Sequence, residues 1–244
     1  MWHVIDSLEN TASHNMQKDT ELLDQLNPDS PPVFHFYDWT FPSLTYGHFI
    51  DPDLYLKMDE LHKEGWDSAR RPTGGGIIFH KWDFTFSAIV PSSLPFFSKN
   101  TLDNYQFIHE IVKKAVKDFL GLDSYLIKED FDLSHPDAKS FCMARPTKYD
   151  LMLEGKKIAG AAQRQTKKGY LHQGSISLSS PDLSLLKKII RPQKEIIDSM
   201  LSYSFPLLGK TSSRKELKQA KLRLKQLLVN YAEETTERYL SDKG

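Results

Sequence analysis

Apolar residues along the chain are spaced three or four apart in some stretches and fall at every second position in others, and the switches between these periods mark its elements. Met16, Leu22, Leu23 and Leu26 predict an amphipathic helix from about Ser13 to Gln25, entered from a strand or turn holding Ile5 and Leu8. The run Asn27-Pro28-Asp29-Ser30-Pro31-Pro32 ends it, since proline lacks the N–H a helix needs. Val33 to Phe49 is rich in aromatic and β-branched side chains and predicts two short strands broken at Phe41-Pro42, followed by a short helix from Pro52 to His62. Residues 70–90 carry two apolar runs joined by a polar turn at Lys81 to Asp83, the pattern of a hairpin preceded by a glycine cluster.

The most regular helix runs from Leu102 to Leu120, where Phe107, Ile108, Ile111, Val112, Ala115, Val116 and Phe119 recur at helical spacing before Gly121. Residues 123–148 have no clean period. Tyr149 to Leu178 predicts a three-stranded meander with turns at Glu154-Gly155-Lys156 and Lys167-Lys168-Gly169. Beyond Pro181 the pattern is helical over 183–190, 194–201 and 213–239, the last with a stripe of Leu217, Leu224, Leu227, Leu228 and Tyr231. One main domain over residues 1–205 with a C-terminal helical extension over 206–244 is the expected organisation.

Composition narrows the function classes. Of 244 residues 39% are hydrophobic and 26% charged, and Lys plus Arg equals Asp plus Glu at 32 each, so no global field exists to hold nucleic acid or an anionic membrane. No apolar run approaches the ~20 residues that span a bilayer. The N-terminal MWHVIDSLEN lacks the basic start and apolar stretch of a secretory signal, and a cytoplasmic protein is expected. Cys142 is the one cysteine: it permits no internal disulfide and no cysteine-rich zinc site, and no metal site is expected. It is either a small buried hydrophobe or a nucleophile. The basic stripe Arg214, Lys215, Lys218, Lys221, Arg223 and Lys225 reads as a solvated helix face.

Two constellations carry chemistry. Gly74, Gly75 and Gly76 stand between Arg70-Arg71-Pro72-Thr73 and the strand IIFH, more glycines than a turn needs, which points to close backbone approach to a ligand. No G-K-[ST] follows, so this is not a P-loop. The second set is Gly155, Lys157, Gly160, Gln163, His172 and Gly174, all on the meander. Strand alternation places Lys157 with Ala159 and Ala161, leaving room beside it for a substrate, although spacing alone favours an exposed cross-strand lysine.

RRPTGGGIIFH, then EGKKIAGAAQRQ, then LHQGSI resembles, in order, the superfamily of lipoate-protein ligases, octanoyl and lipoyl transferases and biotin ligase catalytic domains, most strongly its lipoate and octanoate branch. The resemblance implies an α/β (α+β) fold: a mixed, largely antiparallel sheet flanked by helices, with an apolar tunnel for a lipoyl or octanoyl chain that is attached to a lysine of a lipoyl carrier domain. The family's acyl-binding loop falls on Arg70, Arg71, Thr73, Gly74, Gly75 and Gly76, and its strand histidine on His80. Its essential lysine falls on Lys157, where an ammonium would stabilise the oxyanion at the acyl carbonyl. Gly160, Gln163, His172 and Gly174 would line the same pocket.

In the cysteine-dependent transferase branch a cysteine precedes a proline by four residues and a tyrosine by seven, as Cys142, Pro146 and Tyr149 do here. This implies Cys142 as nucleophile, forming an acyl thioester without a cofactor. Met143 stands where those transferases usually carry an aromatic residue. The alternative is a lipoate-protein ligase using ATP and Mg²⁺ through an acyl-adenylate. A non-catalytic acyl-binding module is a third reading, and biotin ligation a fourth whose usual loop differs from RRPTGGGIIFH. The implied partners are lipoyl carrier domains of 2-oxoacid dehydrogenase complexes or a glycine-cleavage H-type protein, with acyl carrier protein as a donor, and neither nucleic acid nor membrane.

Overall fold

A computed structural model describes residues 1–129, 140–191 and 194–241. In chain order the elements are β1 (His3–Asn10), α1 (Ala12–Asp24), β2 (Val33–Trp39), β3 (Ser43–Tyr46), α2 (Met58–Lys63), β4 (Asp67–Arg70), β5 (Ile77–His80) and β6 (Asp83–Pro91). Then come α3 (Thr101–Leu120), β7 (Tyr125–Leu126), β8 (Leu151–Leu153), β9 (Lys156–Gln165), β10 (Gly169–Ser177), α4 (Leu183–Ile189), α5 (Lys194–Tyr203) and α6 (Arg214–Ser241). Thr11 caps α1 by accepting from the His14 N–H, and Asn100 caps α3, which stops at Gly121 in the left-handed conformation.

Seven strands form one sheet in the order β1-β2-β6-β10-β9-β8-β7, antiparallel except for the β1–β2 pair. A second sheet has the order β4-β3-β5, with β3 and β4 parallel. The mixed, largely antiparallel sheet flanked by helices is the fold class expected from the sequence. The hairpin expected over 70–90 does not form. β6 has both edges filled by β2 and β10, so β5 instead pairs with β3, and the Lys81-Trp82 turn crosses from one sheet to the other. The helix expected over 52–62 is split into a 3-10 turn at Pro52–Leu54 and α2, because the backbone between them binds the end of α4: Lys57 N donates to Ile189 O at 2.8 Å.

Both faces of the large sheet are buried at its central strands β2, β6 and β10, and alternation makes them chemically different. Phe34 and Phe36 of β2, Phe84, Phe86, Ala88 and Val90 of β6, and Tyr170 and Ile176 of β10 join an apolar core with Ile108, Ile111 and Val112 of α3. Leu224, Leu227, Leu228 and Ala232 of α6 belong to that same core, so the segment after residue 205 is packed into it. Three residues of the basic stripe pair with acids of neighbouring elements: Lys221 with Asp38, Arg223 with Asp118 and Lys225 with Asp6. The intervening positions His35, Tyr37, Asp83, Thr85, Ser87, Gln173 and Ser175 point to the other face, between α1 and the small sheet.

Candidate active site

The second face would be a costly place for polar groups were they not paired. Asp19 of α1 binds His35 Nδ1 at 2.7 Å through Oδ1, and its Oδ2 accepts from Ser87 Oγ at 2.7 Å and Gln173 Nε2 at 2.6 Å. Gln173 Oε1 accepts in turn from Thr73 Oγ1 at 2.7 Å, which ties the glycine-rich loop to β10. A second chain runs from Asp83 through His80 (Nδ1 to Oδ2, 2.8 Å) and Thr45 (Oγ1 to His80 Nε2, 2.7 Å) to Arg71 Nη1, which donates to Thr45 Oγ1 at 2.8 Å. Burial pushes the Asp83 carboxyl up, but the charge and hydrogen bond of His80, helped by Lys221 and Ser175, hold it below the usual carboxylate range.

Arg71 also donates through Nη2 to Gly74 O at 3.1 Å and Gly76 O at 2.7 Å, so the loop curls around a buried guanidinium. Gly75 has φ 82°, and a Cβ there would sit 3.2 Å from Arg71 Nη2 and 3.7 Å from Cys142 Sγ. Cys142 reaches this place because Phe141 bridges to Ile77 on the free edge of β5, and the Cys142 N–H donates to Ile77 O at 3.0 Å. Arg71 Nη2 donates to Cys142 Sγ at 3.9 Å.

Lys157 arrives by a different device. Met152 pairs with Lys157 but Leu151 with Ala159, so Ile158 is an extra residue that bulges β9. The bulge turns Lys157 away from the face of Ala159 and Ala161 that simple alternation predicts, and lays its side chain over Gly160. A Cβ on Gly160 would lie 2.5 Å from Lys157 Nζ. The buried ammonium donates to Asp150 Oδ2 at 2.7 Å, Cys142 O at 2.8 Å and Arg145 O at 3.4 Å. Asp150 is itself fixed by the Tyr105 hydroxyl at 2.6 Å and by the Thr147 N–H at 2.7 Å. Burial, then the Asp150 charge, pushes the Tyr105 hydroxyl well up, so it stays a proton donor to that carboxylate.

These side chains meet at a cavity between the two sheets. Arg71, Cys142 and Lys157 stand on its wall with His80, while Met16, Ile78 and Ala162 give it an apolar lining. The geometry combines a thiol, two cations and an apolar chamber, as transfer of an aliphatic acyl group requires.

Residues 11–226 match the family described as lipoyl protein ligase A/B catalytic domain. The chain belongs to this family. It is 32% identical over 204 residues to octanoyltransferase LipM of Lysinibacillus sphaericus, covering 82% of this chain and 74% of the relative. The same enzyme of Bacillus subtilis is 32% identical over 205 residues, covering 82% and 73%. The fold is also that of a lipoate-protein ligase A solved with ATP (TM-score 0.70, 22% identity, 99% of this chain and 94% of the other). A bipartite lipoate protein ligase of Thermoplasma acidophilum, studied with its E2 lipoyl domain, gives a TM-score of 0.69 at 21% identity over 100% and 93%.

Within this lipoyl ligase family member the motif residues divide. Arg71, His80, Cys142, Lys157, Gly160 and Gly174 line the cavity. Thr73 and Gly75 touch its wall residues, and Gly76 packs against the Ser140 carbonyl. Arg70 turns outward, donating to the His48 and Ile50 carbonyls over the Tyr46 ring. His172 and Gln163 bond each other on the opposite face against α3, where the Gln163 oxygen accepts from His172 Nδ1 and from Tyr105 N. Gly174 offers only backbone to the cavity. The space its Cβ would take on the other face is filled by the Phe86 ring, with Cε1 2.6 Å away. Sequence reasoning missed Asp150, Thr45, Gln173 and Ser175. Asp150 is the buried carboxylate that a buried lysine requires, and the strand parity of Gln173 and Ser175 was available.

Proposed function

We propose that this chain is an acyltransferase that attaches an octanoyl or lipoyl group to a lysine of a lipoyl carrier domain through a thioester on Cys142. The observation that carries the reading is the contact of Lys157 Nζ with the Cys142 carbonyl oxygen at 2.8 Å on the wall of one apolar cavity. Its sequence counterpart is the 32% identity to octanoyltransferases across most of the chain. The Cys142 thiolate attacks the carbonyl carbon of a thioester donor, the donor's carbon–sulfur bond breaks, and the donor thiol leaves with the proton Cys142 gave up. The acceptor lysine amine then attacks the Cys142 thioester, giving the amide and returning the thiol.

Arg71 stands where it offsets the charge on sulfur. Lys157 has all three N–H directions engaged, and the longest contact, to Arg145 O at 3.4 Å, is the one an acyl oxyanion would replace. Asp150 and Tyr105 are positioning residues that keep the ammonium aimed. His80, held by Asp83 and Thr45, and the loop of Arg71, Thr73 and Gly74 to Gly76 shape the acyl chamber. The partners of the reaction are a lipoyl carrier domain, of a 2-oxoacid dehydrogenase complex or a glycine-cleavage H-type protein, and an acyl carrier protein as donor. Among the described residues no helix is long and apolar enough to cross a membrane.

The ATP-dependent ligase reading shares this fold with a relative solved with ATP. The two readings separate on one experiment: apo lipoyl domain is incubated with octanoyl carrier protein, or with lipoate, ATP and Mg²⁺, and weighed intact. A mass gain with the thioester donor and no ATP is the expected result. Acylation only in the ATP arm would replace the transferase reading with the ligase one.

A further inference from the structure

We infer that a second cavity, adjoining the first, receives the thiol-bearing arm of the acyl donor; this rests on the acyltransferase reading above. A thioester held with its carbonyl at Cys142 has two substituents on that carbon, the hydrocarbon chain and the sulfur-linked arm, and each needs room. The cavity beside Cys142 houses the first. A second cavity shares Ile78, Met143 and Ser175 with it, and Met143 follows Cys142 directly in the chain. The second space therefore begins one residue from the nucleophile.

Its chemistry differs from that of the first. Four serines, Ser175, Ser177, Ser179 and Ser204, stand on its wall with Asp83. Asp83 Oδ2 is fully used by His80, Thr85 and Ser175. The serine hydroxyls on this wall can accept from a ligand N–H and donate to a ligand C=O. Neither lysine nor arginine lines this cavity. The occupant that fits is an uncharged arm rich in amide N–H and C=O groups and ending in the thioester sulfur, a pantetheine-class arm. A nucleoside triphosphate would instead bring phosphates to a wall that carries a carboxylate and neither lysine nor arginine. When the Cys142–acyl bond forms and the donor carbon–sulfur bond breaks, the arm departs as a protonated thiol through this cavity. The acyl chain stays in the first, leaving the carbonyl open to the acceptor lysine.

Acylation of Cys142 by octanoyl-pantetheine is compared with acylation by the arm-less octanoyl ethyl thioester, each followed by intact mass, in the wild type and in Ser177→Leu, which fills part of the second cavity. The variant should slow the pantetheine donor at least about tenfold while leaving the ethyl thioester within about twofold, which also shows that it folds. In the wild type, S-methylpantetheine should compete with octanoyl-pantetheine, and ATP should not; this arm needs no variant. Equal behaviour of the two donors together with no competition by S-methylpantetheine overturns the proposal, as does competition by ATP in its place. Failure of every thioester to acylate wild-type Cys142 would instead remove the acyltransferase reading beneath it.

Discussion

One methyl group at Gly160 should disable the enzyme without unfolding it. The Gly160→Ala Cβ would stand 2.5 Å from Lys157 Nζ and 2.9 Å from Asp150 Oδ1. Ordinary carbon–heteroatom contact is roughly 3.5 Å, so the ammonium must retreat by about 1 Å from the place where it is proposed to meet the acyl carbonyl. A misplacement of that size costs on the order of 10²-fold in rate. Because the clash falls on the end of a flexible side chain, and glycine inside a strand is itself unfavourable, net stability should move by no more than about 1 kcal/mol, roughly 2–4 °C in Tm. The assay is single-turnover transfer from octanoylated enzyme to apo lipoyl domain, with Tm measured alongside. A rate within threefold of wild type would show that Lys157 does not act from the position seen here.

Lys157→Ala should lower transfer by about 10² to 10³, the usual cost of losing one oxyanion donor, and activity within tenfold of wild type would contradict its role. Among the loop glycines, Gly74→Ala meets nothing within 4 Å and should leave thermal stability and acyl binding near wild type, whereas Gly76→Ala drives a Cβ into the Ser140 backbone, 2.6 Å from its carbonyl carbon, and should lower both. Comparable melting and binding for the two would refute the packing argument. Burial holds His109 down to about 4 from 6.5. The unfolded chain therefore binds the extra proton first as pH falls through 6.5 toward 4, and stability drops by about 1.4 kcal/mol per pH unit from this group. His109→Leu should flatten that slope in denaturant titrations across the window, and an unchanged slope would rule out a buried neutral histidine.

Much of this was legible in the sequence because periodicity reports burial directly. α1, α3, the meander of β8 to β10 and the C-terminal helices fall within a few residues of their expected places, since each has a long unbroken period. The failures share a cause, in that pairing is decided by neighbours far away in the chain. β5 and β6 read as a hairpin because both are apolar and a polar turn joins them, but the edges of β6 were taken by β2 and β10. Lys157 was set on the face of Ala159 and Ala161 because an extra residue at Ile158 leaves the composition of a strand unchanged while reversing every side chain before it. His172 and Gln163 were drawn into the pocket by their place in a motif. Strand parity put His172 with Tyr170 and Ile176, on the core side. The segment expected to be a helical extension contributes Leu224, Leu227 and Leu228 to the main core.

Covalent trapping on Cys142 tests the central claim most directly. Protein mixed with an octanoyl thioester donor and no acceptor should gain the mass of one octanoyl group, located on Cys142 by peptide mapping and removed by hydroxylamine. Added apo lipoyl domain should discharge it, with the mass passing to a carrier lysine. Cys142→Ser should lose turnover or trap a more stable oxygen ester, since a hydroxyl is a weaker nucleophile and a poorer leaving group. Full activity of Cys142→Ser, with no adduct on the wild-type protein and a strict requirement for ATP, would contradict the thioester mechanism.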